Sequence, residues 1–67
     1  MFIQTTNDGF WAVSQLIGAY VSGSNVDATF VGSNSITLFE CDSSDNATAT
    51  LAELMAALGV VPITPVS

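Results

Sequence analysis

The residues with chemical reach gather in one short stretch. Glu40, Cys41, Asp42 and Asp45 stand close together, with Ser43, Ser44 and Asn46 among them. Such an oxygen-rich set is the ligand type that suits Ca2+ or Mg2+. The run Asp-Ser-Ser-Asp-Asn lacks the glycine and the distal glutamate of an EF-hand loop, so these residues read instead as solvated caps of a helix, and no metal is predicted. Acid–base chemistry fares no better. The chain has no His, Lys or Arg, so Cys41 and the serines have no imidazole to activate them and no cation stands ready for an oxyanion or a phosphate. Two carboxylates can act as an acid and a base, but a chain of 67 residues has little room for an enclosed pocket of the roughly 300–1,000 Å³ that a substrate needs. The sequence predicts no catalytic residue, no cofactor and no enzymatic activity.

Cys41 is the only cysteine, which excludes an intrachain disulfide and leaves a small buried thiol in a strand or a bridge to another chain. Asn46-Ala47-Thr48 is a formal glycosylation sequon, but it falls in the first turn of a predicted helix and is assigned no function.

The same residue count decides what the chain can bind. Six carboxylates, Asp8, Asp27, Glu40, Asp42, Asp45 and Glu53, give a net charge of −6 with no cationic side chain to oppose them. No side-chain ion pair can form within one copy, and identical copies repel unless salt or a cationic partner screens them. Nucleic acid is excluded as a partner, because phosphate binding rests on Lys and Arg displacing counterions. Only 9% of residues are charged and 49% are apolar, against roughly 25% charged in an ordinary domain. The surface must then be built from Ser, Thr, Asn, Gly and Ala. Met1-Phe2-Ile3-Gln4-Thr5 lacks the basic region and apolar run of a signal peptide, so secretion by that route is not expected. The uncharged stretch Gly9 to Val26 is interrupted by Ser14, Gln15, Gly18 and Ser22 to Asn25, and it reads as soluble structure with no membrane partner.

The elements that must carry these residues are readable from period and turn chemistry. The pattern predicts an α+β domain over residues 1–59: a small antiparallel β-meander with strands near 2–5, 10–13, 17–22, 26–31 and 36–41, and one helix over about 44–58 packed on one face. Asn7-Asp8-Gly9 is the turn of the first hairpin. Residues 10–22 satisfy a helical face through Phe10, Val13, Ile17 and Tyr20, yet their β-branched and aromatic content favours strands with a kink near Ser14-Gln15. On the last hairpin Val26, Ala28 and Phe30 share a face with Ile36 and Leu38, while Asp27 and Thr29 share the other with Thr37. Ala47, Leu51, Leu54 and Leu58 repeat at helical spacing to cover the apolar face. Asp42 to Asp45 supply the N-terminal caps, with Thr50 and Glu53 as a capping box that would start the helix a turn later. Gly59 and Pro62 end it.

A domain this small gains roughly 3–5 kcal/mol from one core, so a partner is expected. Phe10, Trp11, Tyr20, Phe30 and Phe39 cannot all be central, and half-exposed aromatics anchor interfaces. The expected interface comprises Trp11, Tyr20 and an extended apolar arm at 60–67, carried by Val60, Val61, Pro62, Ile63, Pro65 and Val66; folding back over its own sheet is the arm's other option. In composition the whole chain is similar to small structural proteins of virus particles, tailed phages above all. That resemblance implies a non-catalytic capsid decoration or cement subunit, present in many copies or as a homo-oligomer. Its partners would be the protein subunits of a larger assembly, such as a major capsid or connector protein, and its place the virion, assembled in the host cytoplasm. The competing expectation is a soluble acidic adaptor or inhibitor that occupies a basic site on an enzyme or a nucleic-acid-binding protein.

Overall fold

The computed structural model describes every residue except Asp8, Pro62, Thr64 and Ser67. It is an α+β fold of two antiparallel sheets and one C-terminal helix. β1 (Phe2–Gln4) pairs with β2 (Phe10–Ala12), with Ile3 opposite Trp11. The connecting loop is drawn tight by Thr5, whose backbone N–H and side-chain hydroxyl both donate to the Gly9 carbonyl, at 2.7 and 2.8 Å. The turn expected at Asn7-Asp8-Gly9 includes Asp8, which lies outside the described residues.

The second sheet holds β3 (Leu16–Ser22), β4 (Asn25–Phe30) and β5 (Ile36–Glu40) in the order β3-β4-β5. The expected single meander is therefore divided in two. The cause is a 3-10 turn over Val13–Gln15, at the kink expected near Ser14-Gln15, which redirects the chain before β3 can pair with β2. Val13 donates to the Met1 carbonyl and closes the hairpin behind it, while the Gln15 carbonyl accepts from Val31. The strands are also trimmed relative to expectation: Thr5 turns into its loop, Val13 enters the 3-10 turn, Val31 leaves β4 for a turn, and Cys41 follows β5 with its amide donated to the Ser24 carbonyl. β3 and β4 each gain one residue at their start, Leu16 and Asn25.

β4 alternates half-buried and buried along its whole length, and its Val26, Ala28 and Phe30 are the centre of the core. They meet Leu38 of β5, Ile3 of β1, and Ala47 and Leu54 of α1 (Ser44–Leu58). Each fully buried Val, Leu or Phe contributes about 1.5–3 kcal/mol of transfer free energy, so this short list carries most of the domain's stability. The opposite face presents Asp27 paired with Tyr20 and Thr37.

α1 begins where its cap dictates. Ser43 is extended and its Oγ accepts from the Asn46 amide at 3.1 Å, with Asp45 in the positive first turn. The later start that Thr50 and Glu53 would allow is not used, and the Thr50 hydroxyl instead donates back to the Asn46 carbonyl. Gly59 closes the helix in the left-handed region at φ 75°. Its amide bonds the Ala56 carbonyl and the Val60 amide bonds Met55, the paired arrangement that satisfies the last carbonyls of a helix.

The two edges of the three-stranded sheet are treated differently. Along β5 the Thr6 amide donates to the Leu38 carbonyl at 2.9 Å and the Glu40 amide donates to Thr6 Oγ1 at 3.2 Å. Asn7 Nδ2 adds a bond to the Glu40 carboxylate. The N-terminal hairpin thus covers that edge. β3 pairs with β4, and its outer edge has no strand partner among the described residues.

Candidate protein-docking surfaces

The hairpin fixes one apolar surface by simple alternation. Ile3 and Trp11 point to the core, so Phe2, Gln4, Phe10 and Ala12 take the other face. Phe2 and Phe10 lie diagonally across the ladder and meet edge to face, with centroids 5.4 Å apart and planes at 88°. They are 64% and 69% exposed. A cleft of about 400 Å³ beside them is walled on its other side by Thr5, Thr6 and Asn7.

A second surface runs between α1 and the open strand. Ile17 sits at a β-bulge, because Leu16 pairs with Phe30 and Gly18 with Thr29. Ile17 shares the face of Ala19 and Val21 toward the helix and is 66% exposed. With Leu51, Leu54, Met55, Leu58 and Val60 it lines an apolar groove of about 310 Å³. Those helix positions recur at three- and four-residue spacing, which is why one helix face can supply a whole wall.

The residues expected at an interface are dispersed over three places. Trp11 is half-buried, its ring 4.9 Å from that of Phe30 at a tilt of 33°. Tyr20 stands on the opposite sheet face, 43% exposed, with its hydroxyl donating to Ser35 Oγ. Val60 lines the groove, whereas Val61, Ile63, Pro65 and Val66 are exposed and do not cover the sheet. Pro62 lies outside the described residues. The sequence reading passed over Phe2 and Ile17. The strict alternation of the first hairpin was the available signal for Phe2, and the shared parity of Ile17, Ala19 and Val21 was the signal for Ile17.

The residues with chemical reach do not assemble into a site. Among the described residues no group of three or more Cys, Asp and Glu side chains is placed to hold a metal ion. Cys41 is half-buried just beyond β5, rather than fully buried within a strand, and its thiol faces the Thr50 hydroxyl at 3.6 Å. The strand ends one residue early, and the Cys41 amide beyond it still bonds the Ser24 carbonyl. Asp27 is half-buried, and its Oδ1 is shielded from solvent with no hydrogen-bond partner. No helix among the described residues is long and apolar enough to cross a membrane. No protein-family model, curated protein or solved structure matches the chain.

Proposed function

We propose that this protein is a non-catalytic structural subunit that works by binding other protein subunits through apolar surface. The observation that carries the reading is the exposure of Phe2, Phe10, Ile17, Val61, Ile63 and Val66 on a chain that has no cationic side chain. Burying such side chains yields about 25 cal/mol per Å², and a chain without Lys or Arg has no other strong means of attachment to a neutral or acidic neighbour. Composition favours one setting, a virus particle in which the protein decorates or cements the shell. Many copies in a symmetric lattice would multiply a modest affinity at each site.

Salt distinguishes this from an acidic adaptor. Attachment through apolar surface holds or strengthens as ionic strength rises through several hundred millimolar, whereas an acidic mimic on a basic site lets go. The test is co-sedimentation of the chain with the particles of its source across a salt series. The paired substitution Phe2→Ser with Phe10→Ser, or removal of residues 60–67, should weaken attachment while far-UV circular dichroism stays unchanged. Release by salt, or equal retention of both variants, would remove the apolar reading.

A further inference from the structure

We propose that the open edge of β3 pairs with β3 of a second copy, antiparallel about Ala19, to make a continuous six-stranded sheet with both helices on one face. The proposal rests on the reading that the chain works by protein association, and it names the partner at one surface.

Four observations converge on this edge. The first is that β5, the other edge of the same sheet, is already covered by Thr6 and Asn7, which leaves the seven-residue β3 as the side on which the sheet can grow. An uncovered strand presents alternate N–H and C=O groups outward, and proteins usually guard it with Lys, Pro or inward-pointing charge. β3 reads Leu-Ile-Gly-Ala-Tyr-Val-Ser and has none of these; its one irregularity, the bulge at Ile17, sits near one end and leaves Gly18 to Ser22 in regular pairing with β4.

The second observation is charge. In a molecule of −6, a second copy is tolerated only where carboxylates stay apart, and the whole stretch from Gly9 to Val26 is uncharged. Asp27 is the nearest acid within the sheet, one strand behind β3. With strands about 4.8 Å apart, the two copies of β4 would lie about 14 Å from each other, beyond the screening length of about 10 Å at 0.1 M salt. Glu53 is two residues from both Leu51 and Met55, which puts it on the flank of α1 away from the groove.

The third is the register. Pairing about Ala19 sets Ile17 against Val21 on the helix side, and Gly18 against Tyr20 on the other. β-branched pairs are favourable cross-strand neighbours. Tyr20 keeps its hydroxyl on Ser35 Oγ within its own sheet, so its ring does not crowd Gly18 of the second copy. Space over Gly18 is open, since a Cβ built there meets nothing within 4 Å.

The fourth is the spacing of the second layer. α1 packs over both β3 and β4. Two such helices, each above the β3–β4 step, would then sit about 10 Å apart across the seam, at the upper end of the roughly 8–10 Å separation of packed helices. The groove walls formed by Leu51, Met55 and Leu58 would face each other and close over Ile17. The apolar arm is a poorer occupant of the edge. Pro62 and Pro65 lack amides and fall on opposite parities of an extended chain, so one of them always faces the ladder.

Sedimentation equilibrium on the full chain tests the pairing. At roughly 100 μM, well within the range where weak dimers are populated, the mass should be about twice the 6.9 kDa of one chain. Ile17→Lys and, independently, Gly18→Glu should return it to one chain mass with an unchanged far-UV spectrum; two sites are used so that a misfolded variant at one does not stand in for an answer. Phe10→Ser should remain a dimer. A wild-type monomer at this concentration overturns the proposal, as does a dimer that survives both edge substitutions or that is lost on removing residues 60–67 while Ile17→Lys keeps it. A chain that is monomeric alone but co-sediments with the particles of its source would sink the pairing and leave the structural-subunit reading standing.

Discussion

Trp11 and Phe10 are adjacent in sequence, yet the structure gives them opposite work, and truncating each to alanine separates the two roles. Trp11 is half-buried and stacks on Phe30, itself 1% exposed and at the centre of the core. Removing a fully buried Trp or Phe side chain costs about 3–5 kcal/mol. With part of the residue in solvent, Trp11→Ala should cost about 2–3 kcal/mol, including the roughly 0.5–1.5 kcal/mol of the aromatic contact itself. In a domain of this size that corresponds to a fall in Tm of about 10–20 °C. Phe10→Ala loses only its edge contact with Phe2 and should cost at most about 1 kcal/mol. The measurement is urea or thermal unfolding followed by far-UV circular dichroism, because the substitution removes the only tryptophan. Protein concentration must be held fixed, since any self-association makes the midpoint concentration-dependent. Equal and small losses for the two variants would refute the assignment of Trp11 to the core side and of Phe10 to the surface.

Other outcomes follow from single contacts. Ser43→Ala removes the acceptor for the Asn46 amide and should cost about 1 kcal/mol in denaturant unfolding, with Ser43→Asp retaining most of it. Asp27→Thr should raise stability by about 1 kcal/mol, seen as a higher urea midpoint at unchanged slope, because it removes a shielded carboxylate oxygen that has no partner and adds a strand-favouring side chain. Gly59→Ala should lower stability by about 1 kcal/mol, since the helix terminus holds φ at 75°.

The parts of the fold that announce themselves in sequence are those governed by local rules. α1 was readable to its boundaries because Ser43 caps it, Gly59 stops it, and Ala47 and Leu54 lie a turn-multiple apart on the buried face. The faces of β4 follow from period-two alternation and were readable for the same reason, whereas the irregularity of β5 between its pairings with Val26 and Asp27 has no such signal. The division into two sheets was not. The kink near Ser14-Gln15 that separates them is local, but the edge on which the first hairpin then docks depends on Thr6 reaching Leu38 and Glu40 across more than thirty positions, and pairing at that distance leaves no local mark. The first hairpin is ambiguous in a different way: Phe2 with Phe10 and Ile3 with Trp11 are equally apolar sets, and alternation says only that one faces in and the other out. Tertiary contact with Phe30 makes the choice. The open groove was hidden because its two walls, β3 and α1, are far apart in sequence, although Ile17 shares its face with Ala19 and Val21 by simple alternation.

The covering of β5 by Thr6 and Asn7 also orders events in time. Those bonds close loops of 33 and 34 positions, whereas β3, β4, β5 and α1 follow one another through short turns. Long loops lose more entropy on closing, so contacts between near neighbours form ahead of them. During synthesis Thr6 and Asn7 would have no β5 edge to bind until the chain had passed Glu40. The exposed bonds of Thr6 and Asn7 to β5 are therefore the last contacts to form, and breaking them uncovers the β5 edge while Ile3 and Trp11 still hold the hairpin to the core.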